Sequence, residues 1–246
     1  MLSSESIPAA TKSFTKENLD ECLKTLAKAY RKTSGRHAKA EIVLIGGAAI
    51  LVGYDFREMT TDVDAIIRAD SSIKTAINLV GDELGLPNGW LNMDFTKTSS
   101  YSPKLSQYSR YYRTYGGVVD VRVISGEYLI AMKMVSFRPY KKDQSDILGV
   151  LLYHKNAGTP IRMEQIKAAV TDLYESEDVV SKEAEVFVEK AVNCDNLSEL
   201  FSEIIQAEQD AKELLVSFEE DYKDVLNSDN LNEILAVLRE KQEGKK

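Results

Sequence analysis

Two stretches decide how this chain is read: Glu41-Ile42-Val43-Leu44-Ile45-Gly46-Gly47 and, beginning fourteen positions after the second glycine, Thr61-Asp62-Val63-Asp64-Ala65-Ile66-Ile67. The first is a β-branched, apolar run that stops at a glycine pair, the pattern of a buried strand entering a tight turn, with a short helix expected over Ala48 to about Val52. The second alternates at its start. Val63 and Ala65 share one face, and Asp62 and Asp64 share the other, so it reads as a strand with an acidic side. A third run, Val118-Val119-Asp120-Val121-Arg122-Val123-Ile124, alternates in the same way and sets Asp120 and Arg122 on one face.

Aspartates at i and i+2 of a strand lie roughly 6–7 Å apart along the chain. Two like charges at 4 Å cost on the order of 4 kcal/mol at an effective dielectric of 20, so a pair taken out of water calls for a cation between its members. The pair therefore reads in one of two ways, as solvent-facing strand residues or as ligands of Mg²⁺, which keeps waters and phosphate oxygens in its shell. Asp120, on another strand of the expected sheet, is the candidate third carboxylate for one or two metals. Gly46-Gly47 is either a plain turn or a place where a phosphate chain meets backbone N–H groups at a helix start. Arg57 either neutralises Asp62, binds phosphate or makes a surface ion pair.

Outward from these strands the pattern becomes helical. Thr15 is an expected N-cap, with Phe14 and Leu19 as a hydrophobic staple, ahead of a helix running to about Lys32. Asp70 or Ser71 is expected to cap a helix striped by Ile73, Ile77, Val80 and Leu84 and ended by Gly85. A strand is expected near Trp90 to Phe95. The stretch from Tyr101 to Gly117 carries Tyr101, Tyr108, Tyr111, Tyr112 and Tyr115 around Arg110 and Arg113. It reads as surface loop or edge strand, and its rings beside cations are also what a nucleobase or single-stranded RNA would use. Ser125 is expected to cap a helix through Phe137 ended by Pro139. On its buried side lie Leu129, Met132 and Val135, which lets the Lys133 stem follow the core edge with its ammonium either solvated or at the site. Asp143 and Asp146, at i and i+3, fit either a helix-start charge bias or a functional pair. After Lys141 everything reads as helix, with an Asn196 to Glu199 capping box and a last helix from near Asn230.

The 246 residues carry 31 Lys+Arg and 39 Asp+Glu, net −8. Residues 1–140 hold 18 basic and 15 acidic residues, net +3, and residues 141–246 hold 13 and 24, net −11. The first part tolerates a polyanion such as a nucleotide or RNA, and the second repels one. No apolar run approaches the ~20 residues of a membrane span, and residues 1–10 show no secretory pattern, so a cytoplasmic, membrane-free protein is expected. Cys22 and Cys194 form no metal or redox motif, and His37 and His154 are too few for a zinc site. The division expected from composition is 1–150 and 151–246. The fold class is α+β, a small mixed sheet flanked by helices and then an acidic all-helical domain.

In combination, Gly46-Gly47, Arg57, Thr60-Thr61-Asp62-Val63-Asp64, Asp120, Tyr128-Leu129-Ile130-Ala131-Met132-Lys133 and Lys142-Asp143-Gln144-Ser145-Asp146 resemble the minimal nucleotidyltransferases of the polymerase-β-like superfamily. Among these they look like the prokaryotic abortive-infection toxins and the uncharacterised proteins related to them, and the likeness covers roughly residues 40–150. It implies that Gly46 and Gly47 contact a nucleoside triphosphate, with Arg57 and Thr61 beside it. It also implies that Asp62 and Asp64 ligate Mg²⁺ or Mn²⁺, that Asp120 completes the metal site and helps activate the attacking hydroxyl, and that Lys133 meets the triphosphate. Asp143 and Asp146 would belong to a Lys-Asp-x-x-Asp signature on the nucleotide side. The implied function is metal-dependent transfer of a nucleotidyl group to a hydroxyl on RNA or a tRNA end, a protein or a small molecule. The implied setting is a toxin with an antitoxin-like partner; the alternative is an inactive nucleotide sensor or protein-binding module. The chain departs from the pattern at Ala48, since Gly-Gly-Ala replaces the common Gly-Ser and removes a hydroxyl.

Overall fold

A computed structural model describes residues 13–243 apart from 36, 55, 139–140, 224 and 228–229, with side chains left undescribed at 232 and 241–243. The chain forms two compact units, Met1–Ser125 and Gly126–Lys246. The boundary expected near residue 150 falls inside a helix of the second unit, Asp143–Asn156.

The first unit opens with α1, Lys16–Ser34. Thr15 caps it as expected, and Asn18, three positions on, completes the box by accepting the Thr15 N–H at 2.9 Å. Its apolar stripe, Leu19, Cys22, Leu23, Leu26 and Tyr30, is buried. β1 is Ala40–Leu44, α2 Gly46–Gly53 and β2 Val63–Arg68. α3, Ser72–Leu84, packs on α1 and ends at Gly85 in the left-handed conformation, and Ser71 at its N-cap makes no side-chain cap bond. β3 is only Leu91–Asn92, because the chain turns into a 3-10 helix at Asp94–Lys97. A second 3-10 turn, Leu105–Tyr108, leads to β4, Ser109–Tyr115, and β5, Val119–Ile124, closes the unit. The tyrosine-rich stretch thus supplies an edge strand.

The sheet order is β3-β2-β1-β5-β4. β1 is antiparallel to β2 and parallel to β5, β2 is parallel to β3, and β4 is antiparallel to β5 with an irregularity between Tyr111 and Arg113. The sheet is therefore mixed, as expected. Ile42, Val43 and Leu44 are all fully buried, which is why the central strand is a continuous apolar run rather than an alternating one.

The described regular elements of the second unit are helical. α4 is Gly126–Ser136, α5 Asp143–Asn156, α6 Met163–Tyr174, α7 Lys182–Val192, α8 Leu197–Asp221 and α9 Leu231–Glu243. α4 packs against α5, α6 and α7, α5 against α7 and α8, and α8 against α9. Pro139, expected to stop α4, lies outside the described residues. The expected capping box before α8 is not formed: Asn196 makes no side-chain cap bond and instead donates its Nδ2–H to the Glu199 carboxylate. Among the described residues no helix is long and apolar enough to cross a membrane.

Candidate active site at the glycine corner

β1 runs into α2 through Ile45, whose extended backbone (φ −133°, ψ 179°) turns the chain. The Ile45 N–H donates to the Asp64 carbonyl at 3.1 Å, extending the β1–β2 ladder by one residue and fixing Asp64 beside the turn. Gly46 then takes φ +52°, a conformation costly for any side chain, and a Cβ there would lie 3.8 Å from Asp64 Oδ2. At Gly47 the constraint is space. A Cβ would sit 2.6 Å from Thr60 Oγ1 and 3.1 Å from the Arg57 guanidinium carbon, so both side chains rest on the glycine peptide.

The opposite wall is built by the segment leading into β2. Thr60 is buried and its backbone pairs with Phe14 in both directions, Phe14 N–H to Thr60 O at 2.7 Å and Thr60 N–H to Phe14 O at 2.9 Å. Its hydroxyl lies 3.2 Å from the Asp62 carbonyl and 3.3 Å from Asp62 Oδ1. Arg57 is steadied by its Nε–H donating to Met59 O at 3.1 Å. Asp62 is exposed and Asp64 half-buried, while Val63 between them is buried in the core. Gly46, Gly47, Arg57, Asp62 and Asp64 are thus gathered at one corner, where α2 has no side-chain cap. Thr61, expected beside them, is exposed; Thr60 holds the interior place. Strand alternation carried that signal, since Thr60 has the parity of Asp62 and Asp64.

Asp120 is not brought to this corner. The sheet register sets Asp120 level with Glu41, and Glu41 level with Arg68, whereas Asp64 is level with Ile45. Four residues of strand, about 13 Å at ~3.3 Å each, separate the two levels, and β1 lies between β2 and β5. Asp120 instead accepts the Thr114 hydroxyl at 2.5 Å across the β4–β5 ladder. The residue of β5 one step beyond the Leu44–Val123 pair is Ile124, which offers no ligand. Consistent with this, no three His, Cys, Asp or Glu side chains among the described residues form a metal-holding group. Among the described residues the donor set at the corner is one carboxylate pair beside the glycine turn. That set suits Mg²⁺, which is bound through one or two carboxylates and completes its shell with waters and substrate phosphates.

Lys133, Asp143 and Asp146 meet in the second unit, and their environment is closed. Asp143 is fully buried. It accepts Lys133 Nζ at 2.8 Å, Ser136 Oγ at 2.9 Å, and from Arg138 the backbone N–H at 3.0 Å, Nε at 3.0 Å and Nη2 at 3.2 Å. Lys133 Nζ also pairs with Asp146 Oδ2 at 2.8 Å. Phe137, just before Arg138, adopts φ +27°, a strain of order 1–3 kcal/mol that these bonds offset. Burial alone would drive the Lys133 ammonium to lose its proton, but Asp146 and Asp143 outweigh it and hold Lys133 above the ordinary lysine range. Burial likewise disfavours an ionised Asp143, and Lys133 and Arg138 overcome it, holding that carboxyl well below the usual range. On α8, Glu208 accepts the Ser145 backbone N–H at 3.0 Å at the start of α5, and burial, with Asp146 and Asp143 nearby, pushes its carboxyl up.

The family model described as a nucleotidyltransferase of unknown function (DUF6036) matches residues 21–188, more than half of the chain. The protein belongs to this nucleotidyltransferase family. The matched residues contain the glycine corner, Asp120 and the Lys133–Asp143–Asp146 cluster. No curated protein matches the chain, and no solved structure does. Membership supports nucleotidyl transfer as the general activity of a DUF6036 protein and leaves its acceptor and metal open.

Proposed function

We propose that the protein is a cytoplasmic, Mg²⁺-dependent nucleotidyltransferase of the polymerase-β-like kind that moves a nucleoside monophosphate from an NTP to a hydroxyl acceptor. The observation that carries this is the glycine corner, where two carboxylates at i and i+2 lie beside a start of α2 that has no side-chain cap, with Gly46 at positive φ and no room for a side chain at Gly47. In this reading Asp62 and Asp64 hold the metal, with Mn²⁺ as a substitute. The backbone of Gly46 and Gly47 takes phosphate oxygens, and Arg57 offsets their charge. The bound ion would supply Lewis-acid polarisation of the phosphate. The protein's own share is to orient the triphosphate tail against the carboxylates so that the acceptor oxygen attacks in line. Lys133, Asp143 and Asp146 enter through the resemblance alone, as groups on the triphosphate side. Asp120 is left out, because the register sets it elsewhere.

We further take the acceptor to be an RNA or tRNA end, a protein or a small molecule, in the manner of the abortive-infection toxins. The acidic helical region after residue 150 would serve as a surface for an antitoxin-like partner. The test is incubation with Mg²⁺ and labelled NTPs, using cellular RNA and lysate as acceptors. Wild type transfers label and Asp62→Ala/Asp64→Ala does not; absence of transfer by wild type, or transfer undiminished in the variant, contradicts the reading.

One observation favours a second reading, a nucleotide sensor without catalysis: among the described residues no third carboxylate joins Asp62 and Asp64 in a metal-holding group. Calorimetry separates the two. Tight NTP binding indifferent to Mg²⁺ supports the sensor, and binding that requires Mg²⁺ supports the enzyme.

A further inference from the structure

We propose that Thr60 is a positioning residue whose hydroxyl fixes the Asp62 carboxylate for its cation, a role that rests on the reading of Asp62 and Asp64 as metal ligands. The two aspartates are held differently. Asp64 lies within β2, and its carbonyl takes the Ile45 N–H, so the sheet orients it. Asp62 lies one residue before the strand begins and is exposed, so the ladder does not fix its side chain. What reaches it is the Thr60 hydroxyl, 3.3 Å from Oδ1 and 3.2 Å from the Asp62 carbonyl. One proton shared between these acceptors restrains both the bend of the chain and the rotation of the carboxylate. A donor on Oδ1 leaves Oδ2 for an ion, the arrangement by which outer groups orient metal ligands.

Thr60 is itself immobilised. It is 3% exposed and its backbone is bonded to Phe14 on both sides. Its Oγ1 occupies the space that a side chain at position 47 would need, 2.6 Å from the Cβ that Gly47 lacks. The glycine at 47 therefore serves the acidic pair as well as the phosphate, by leaving the hydroxyl its place. Thr61, with the opposite parity and an exposed side chain, has no such position.

The experiment is Mn²⁺ binding in the presence of a non-hydrolysable NTP analogue, followed by electron paramagnetic resonance, on wild type, Thr60→Val and Thr60→Ser. Valine keeps the shape and removes the hydroxyl; serine keeps the hydroxyl. The expected result is a dissociation constant for Mn²⁺ about 10–100-fold higher in Thr60→Val, the usual cost of losing an outer-shell partner, and close to wild type in Thr60→Ser. In an Asp62→Asn background, Thr60→Val should have no further effect, an outcome that a general packing defect at position 60 would not give. Equal Mn²⁺ binding by wild type and Thr60→Val, loss in Thr60→Ser as large as in Thr60→Val, or a Thr60→Val effect that persists without Asp62 overturns the proposal. Absence of Mn²⁺ uptake by wild type refutes the reading of the carboxylate pair itself, and the role of Thr60 with it.

Discussion

The glycine corner and the Lys133 cluster each bring two aspartates together, and they treat them in opposite ways. At the cluster, Asp143 and Asp146 are buried and share one ammonium, with Arg138 and Ser136 also donating to Asp143. At the corner, Asp62 is exposed and Asp64 half-buried, beside a glycine peptide on which the Thr60 hydroxyl and the Arg57 guanidinium rest. A buried carboxylate with five donors depends on each of them, since removing one partner strands a charge in low dielectric. A pair with solvent access beside a glycine turn is what a dissociable cation and phosphate need. Residue type alone does not distinguish the two; solvent access does.

The largest expected effect separates them by activity. Asp62→Ala or Asp64→Ala should lower label transfer about a thousandfold or more, the several kcal/mol that a metal contributes to such a transition state. Asp62→Ala should leave the melting temperature almost unchanged. A melting shift as large as that of a core variant would move Asp62 into the structural class. Next in size, Lys133→Met should destabilise the folded protein by about 3–5 kcal/mol, because two buried carboxylates lose their shared partner. Urea denaturation checks this, and a variant as stable as wild type would break the comparison from the other side.

The cluster should also leave a mark on the pH profile. The Asp143 carboxyl is held below its unfolded value, so its contribution is complete at neutral pH and is lost as pH falls through the ordinary carboxylate range toward its lower folded value. Lys133 is held above its unfolded value, so its contribution is present at neutral pH and is lost as pH rises through its folded value. Asp143→Asn should flatten the acid limb of the stability curve. An unchanged acid limb would show that Asp143 is not the titrating group.

The smallest effect concerns Glu208, whose carboxyl is raised by burial, so that the fold disfavours its ionised form. Glu208→Gln keeps an acceptor for the Ser145 N–H. It should be modestly more stable than wild type at pH 7, by less than about 1 kcal/mol, with the gain vanishing at acid pH where Glu208 is protonated. Loss of stability at pH 7 would mean that the charge at the start of α5 is favourable.

Much of this was legible in the sequence where a local rule governs. The β1 run, its glycine stop and the alternation through Asp62 and Asp64 are consequences of strand geometry, and the Thr15 cap is a two-residue signal. The position of Asp120 was not legible. Alternation reveals which face a residue takes, but its level along the sheet depends on how β5 slides against β1, and that register is set by tertiary packing. The closure of the Lys133 cluster was hidden for a similar reason, because its bonds join α4 to α5 and include Arg138, which follows the strained Phe137.

The most direct measurement is a crystal structure of the protein soaked with Mn²⁺ and a non-hydrolysable NTP, with the metal located by its anomalous scattering. The account predicts a Mn²⁺ peak within ligand distance of both Asp62 and Asp64, with the triphosphate tail along Gly46-Gly47. A peak at Asp120 or elsewhere, or a nucleotide seated away from the glycine corner, would contradict it.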